Sequence, residues 1–106
     1  MSQEAPGLEV RDRWDNGEAT VTVRGEIDMS TAEILAARLA EVAGRSPGRL
    51  VVDLAGVGFM DSAGLHCLAR VRRLLPEHCP LVIRSAQPQV RKVLELTGLA
   101  TVCDFE

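Results

Sequence analysis

The stretch Val51-Val52-Asp53-Leu54-Ala55-Gly56-Val57-Gly58-Phe59-Met60-Asp61-Ser62-Ala63-Gly64-Leu65 decides how this chain is read. The apolar run from Leu50 to Leu54 lacks the alternation of a half-exposed strand and suits one covered on both faces. Gly56 to Asp61 predicts a glycine-punctuated loop, and Asp61 is a residue type that caps helices well. Ser62 then falls in the first turn of a helix. The leading backbone N–H groups of a helix have no internal partner, and the aligned peptide dipoles favour negative charge beside them. A serine at that point can carry a phosphate without unfolding anything. Helix-end chemistry alone does not decide the matter, because serines are common at helix starts for capping reasons only.

Upstream, Leu8, Val10 and Trp14 alternate with Glu9, Arg11 and Arg13, and Asp15-Asn16-Gly17 is a hairpin signal because a tight primed turn needs positive φ. Ala19 to Arg24 returns with Val21 and Val23 on one side and Thr20, Thr22 and Arg24 on the other. Two strands with one apolar face each imply that helices cover only one side of the sheet. After Gly25-Glu26-Ile27-Asp28, the spacing Ser30-Thr31-Ala32-Glu33 predicts a capping box that opens a first helix with the stripe Leu35, Leu39 and Val42. Gly44, Pro47 and Gly48 turn the chain into the central strand from Arg49 to Leu54.

Downstream, Gly64, Cys67, Leu68, Val71, Leu74 and Leu75 predict the inner face of a second helix, with His66, Arg70 and Arg73 opposite. Pro76 ends it. Leu81, Val82 and Ile83 predict a further buried strand, Pro88 a favourable first helical position, and Val90, Val93, Leu94 and Thr97 the inner stripe of a third helix. Gly98 suits a left-handed cap, and Thr101 to Phe105 predicts a short last strand. The fold class is therefore α/β: a mixed, mostly parallel sheet with an N-terminal hairpin and about three helices mainly covering one face. Residues 1–7, polar and carrying Pro6, are expected to be a flexible N-terminal tail, and residues 8–106 a single domain.

A chain of 106 residues with 46% hydrophobic and 25% charged residues has room for one core and not two. A formal net charge of −3 lacks the basic footprint of a nucleic-acid or anionic-membrane partner. No apolar stretch approaches the roughly 20 residues of a bilayer span, and no signal peptide is seen, so a cytoplasmic protein is expected. Cys67, Cys79 and Cys103 are an odd set without a disulfide framework and read as small core residues.

Together the block Asp53-Leu54-Ala55-Gly56-Val57, the block Phe59-Met60-Asp61-Ser62-Ala63-Gly64-Leu65, and the pieces Gly25-Glu26-Ile27-Asp28 and Leu96-Thr97-Gly98-Leu99 resemble the STAS domain of bacterial anti-sigma factor antagonists. The likeness covers nearly the whole chain, residues 8–106. It implies a partner-switching regulator whose unphosphorylated form binds an anti-sigma factor, often itself a serine kinase, and so releases a sigma factor. It places the phosphorylation site at Ser62, with a PP2C-type phosphatase restoring the active form, and it sets Asp28 and Asp61 near that serine. Gly58, Met60, Ala63, Leu65 and His66 complete the expected partner-binding set, with Leu65 as an apolar contact; the core is the alternative place for Met60 and the expected one for Phe59. The free protein is expected to be a monomer. Two features depart from the family pattern: Ala63 stands where many members carry a second hydroxyl, and the further C-terminal helix common in the family has no counterpart before Glu106.

Other chemistries fit poorly. A hydrolase nucleophile elbow around Ser62 needs glycine where Met60 stands, and His66 and His78 both precede Asp104, against the usual hydrolase order. Gly56 and Gly58 do not continue into a dinucleotide fingerprint, whose third glycine would fall at Asp61. His66-Cys67 and His78-Cys79 lack zinc-ligand spacing. No enzyme activity, metal or cofactor is expected. The alternative to partner switching is the same fold serving as a constitutive docking subunit of a transporter or signalling scaffold.

Overall fold

The computed structural model describes residues 2–5 and 7–106. Its strands are β1 (Ser2–Ala5), β2 (Leu8–Asp15), β3 (Glu18–Ile27), β4 (Arg49–Met60), β5 (Leu81–Arg84) and β6 (Asp104–Phe105), and its helices are α1 (Ala32–Gly44), α2 (Ser62–Leu74) and α3 (Pro88–Leu96), with a short 3-10 turn at Leu99–Thr101. The strands form one sheet in chain order. β1, β2 and β3 pair antiparallel, and β3, β4, β5 and β6 pair parallel. Each of the crossovers through α1, α2 and α3 steps one strand onward in the same direction. Right-handed connections then put the helices on a common face, and the core lies between that face and the helices.

The hairpin follows from its turn chemistry, with Asn16 at φ 51° and Gly17 at φ 78° between β2 and β3. Leu35, Leu39 and Val42 of α1, Leu50, Val52 and Leu54 of β4, and Leu68 of α2 are fully buried, as their periodicity predicts. The outer face of the sheet is a shallow cleft lined by Arg11, Arg13, Thr20, Thr22, Arg24, Asp53 and Arg84.

The structure departs from the sequence reading along the chain, and it adds what the pattern did not assign; Thr97, expected on the inner stripe of α3, is exposed. Ser2–Ala5, expected to belong to a flexible tail, pair along β2 in register from Ser2 with Arg11 to Ala5 with Leu8; Met1 and Pro6 lie outside the described residues. Backbone pairing needs no apolar pattern, so a polar tail gives no signal of it. Leu74 is exposed rather than inward, because the buried face of α2 ends at Val71 and resumes only at Leu75, past the helix. The last strand is shorter than predicted, since Leu99–Thr101 make a 3-10 turn first. Asp12 lies on the inner face of β2, where its carboxylate receives a hydrogen bond from the buried guanidinium of Arg38 on α1. Arg45 Nη1 stands 3.9 Å from the same carboxylate, and its guanidinium lies 4.6 Å from the centre of the Trp14 ring.

Beyond Arg84, β5 no longer accompanies β4, and the segment from Ala55 to Met60 has no strand on that side. Two glutamines at the start of α3 fill the gap. The Gln87 side-chain amide donates to the Ala55 carbonyl at 3.0 Å and that of Gln89 to the Gly58 carbonyl at 3.3 Å.

Candidate functional site

The site is built where β3 and β4 end together. Ile27 is the register partner of Met60, and the Asp61 N–H donates to the Ile27 carbonyl at 3.1 Å. Each strand is followed at once by an aspartate that organises a helix start. Asp61 accepts the Ala63 N–H at 2.8 Å on Oδ1, the cap that its sequence position predicts.

At α1 the Ser30-x-x-Glu33 box is not formed: Thr31 stands at the N-cap, and the side-chain bonds gather on Asp28 ahead of it. Asp28 Oδ1 accepts the Ser30 N–H at 2.9 Å, the Ser30 hydroxyl at 2.7 Å and the Thr31 N–H at 3.2 Å. In return the Asp28 N–H donates to Thr31 Oγ1 at 3.0 Å, and the Thr31 hydroxyl donates to the Glu26 carbonyl at 2.9 Å. The reciprocal pair is thus Asp28 and Thr31. Glu33 instead reaches across to Arg70 of α2, at 3.4 Å. Asp28 was singled out for its neighbourhood to Ser62, and the structure shows it shaping the loop between β3 and α1.

The Ser30 hydroxyl, followed by the other donors at this carboxylate, holds Asp28 below the ordinary value of 3.8. Any stability this contributes is complete above that ordinary value and is lost as pH falls through the lowered one. Ser30→Ala is expected to move the Asp28 titration back upward, read from its carboxyl carbon by NMR; an unchanged midpoint would refute the role given to Ser30.

Ser62 is the first residue of α2 and is exposed. Its hydroxyl has no hydrogen-bond partner among the described residues. Among the described residues neither His66, exposed one turn further on, nor a carboxylate is hydrogen-bonded to it. It is an exposed hydroxyl at the positive end of a helix.

The helix start that carries it is held tightly against the sheet. A Cβ at Gly64 would lie 2.6 Å from Met60 Cγ and 2.8 Å from Ile27 Cγ2, so only glycine lets α2 approach the ends of β3 and β4 this closely.

Phe59 and Met60 exchange their expected places. Met60, expected at the partner surface, is 5% exposed and packs in the core, whereas Phe59, expected in the core, is 48% exposed. β4 runs on as a strand through Met60 with two register irregularities against β3, between Thr22 and Arg24 and between Gly25 and Glu26; the two one-residue shifts cancel, so Met60 keeps the inward side of Leu50, Val52 and Leu54 and Phe59 the outward side. The expected loop from Gly56 is accordingly the last part of β4. Gly58 is exposed, while Ala63 and Leu65 are half-buried. Met29, which the sequence did not single out, projects from the loop after β3 with 85% exposure. Its one sequence signal was its place directly after the Gly25-Glu26-Ile27-Asp28 piece.

Over residues 10–104 the sequence matches the family model described as "Mlab, STAS domain". It is 33% identical over 84 residues to the anti-sigma-F factor antagonist RsfB of Mycobacterium tuberculosis, a match spanning 79% of this chain and 69% of that relative. A crystal structure of an anti-sigma factor antagonist from Mycobacterium paratuberculosis superposes with a TM-score of 0.84 at 34% identity, covering 97% of this chain and 89% of the other. An anti-sigma-factor antagonist (STAS) domain protein from Planctomyces limnophilus shares the fold at a TM-score of 0.80 and 17% identity, covering 92% of this chain and 87% of its own.

Proposed function

The chain belongs to the STAS domain family of anti-sigma factor antagonists, and from that premise we propose that it sequesters an anti-sigma factor while Ser62 is unmodified and releases it when Ser62 is phosphorylated. The observation that carries the reading is the bare, exposed hydroxyl of Ser62 at the start of a rigidly seated helix. Phosphate there meets a helix N-terminus, which favours it by about 0.3–1 kcal/mol, so the fold tolerates the charge. A docked partner does not. Exposed Met29 and Phe59 and half-buried Leu65 give the surface apolar ground, and a dianion covered there without a cation loses its hydration uncompensated.

In this reading Ser62, Gly58, Ala63, Leu65 and His66 face the partner together with Phe59 and Met29, while Asp28 and Asp61 shape the two helix starts. Met60 supports the surface from below. The kinase is the anti-sigma factor itself, a PP2C-type phosphatase resets the switch, and the protein acts as a cytoplasmic monomer when free. No helix among the described residues is long and apolar enough to cross a membrane.

The test is incubation with the anti-sigma factor of the same organism and ATP, followed by intact mass and peptide mapping. One phosphate on the peptide containing Ser62, absent from Ser62→Ala, is the expected result. Incorporation elsewhere, or none, would overturn the assignment.

A further inference from the structure

The second half of the docking surface lies beside Ser62, in a groove of about 450 Å³ between α1 and α2. Its floor is small: Ala32, Ala63, Ala69 and the buried Cys67 line it, and the exposed side chain of Met29 closes one end. Small residues on both helices leave a recess that bulky apolar side chains from outside can fill. The wall formed by α2 carries His66, Arg70 and Arg73, a helical spacing of four and then three residues, all exposed.

The charges on this wall are not spent within the molecule. Arg73 has no ion-pair partner among the described residues, and Arg70 meets only Glu33, at 3.4 Å between two well-exposed groups. Such a pair contributes little and is easily exchanged. Arg72 behaves differently, since it turns away and donates to the carbonyls of Cys79 and Pro76 at 3.0 Å and 2.9 Å. The arginines that line the groove are therefore the ones held by one weak exposed ion pair or by none among the described residues, in a chain whose net charge is −3.

We propose that this groove receives an amphipathic helix of the anti-sigma factor, with apolar side chains over the alanine floor and an acidic residue against Arg70 and Arg73. The inference rests on the partner-switching reading and extends it. A helix seated there runs on to Ala63 and so brings the partner to Ser62, which places recognition and the switch on one helix, α2. An apolar stripe supplies contact area and the acidic residue supplies register.

The experiment measures binding of the purified anti-sigma factor of the same organism to the unmodified chain, to Arg70→Glu/Arg73→Glu and to Ser62→Asp, with circular dichroism confirming that each is folded. Charge reversal is expected to weaken binding at least tenfold, and lysine at one acidic position of the partner helix to recover it. Added salt should weaken binding of the unmodified chain more than that of the reversed variant. Full affinity in the reversed variant with loss in Ser62→Asp would overturn the groove assignment and leave the switch standing. Full affinity in both would overturn the switch. If reversal weakens binding but no lysine replacement on the partner recovers it, the acidic helix is the wrong occupant.

Discussion

Phosphoserine at position 62 should lower affinity for the anti-sigma factor by roughly two to three orders of magnitude while moving the melting temperature by no more than roughly 5 °C. The asymmetry follows from what surrounds the hydroxyl in each state. In the free protein the phosphate stays hydrated and sits at the first turn of α2, where about −1.5 to −2 charges gain modestly from the helix end. In the complex it would be covered next to Asp61, whose carboxylate is already engaged by a backbone donor. Desolvation and like-charge proximity there cost several kcal/mol, and each 1.4 kcal/mol or so is a factor of ten. Calorimetric titration of phosphorylated and unmodified protein measures the first effect, and thermal melts the second. Ser62→Asp carries less charge and should fall between them. Equal affinity of the two forms would leave only the constitutive docking role.

Asp12→Ala should be the most damaging of the conservative-looking surface-strand changes, costing about 3–5 kcal/mol. Sequence places Asp12 in a strand rich in charge, yet its side chain and that of Arg38 are both almost wholly covered. Removing the carboxylate takes an ion-pair partner from a covered guanidinium on α1, and the loss of an ion partner inside a protein is far costlier than the pair itself is stabilising. Paired replacement, Asp12→Leu with Arg38→Met, should recover most of the loss, because neither charge then remains. Urea unfolding of the single and double variants decides the question. A single variant within about 1 kcal/mol of the parent would show that the pair is effectively solvated.

What the residues announce and what they conceal divide along a physical line. Features whose cause lies within a few residues were legible. Asn16-Gly17 dictates its own turn, Asp61 caps with its own side chain, and the stripe of α1 declares its buried face. Features whose cause lies on another segment were not. Phe59 points outward because β4 stays paired with β3 as far as Met60, and β3 is far away in sequence. Asp12 turns inward because Arg38 is waiting on α1. The start of α1 is an intermediate case: the right loop was identified, but Asp28 and Thr31 outcompete Ser30 and Glu33 because Thr31 is also tied to Glu26. Ser62 is picked out by its local block, whereas the level ends of β3 and β4 beneath its helix appear only in the fold.

The two glutamines that stop the unaccompanied end of β4 have a bearing on life at high copy number. Bare carbonyls at Ala55 and Gly58 would welcome any extended chain, including a neighbouring molecule of the same kind. With those acceptors occupied from within, copies are discouraged from zipping together just beside the switch.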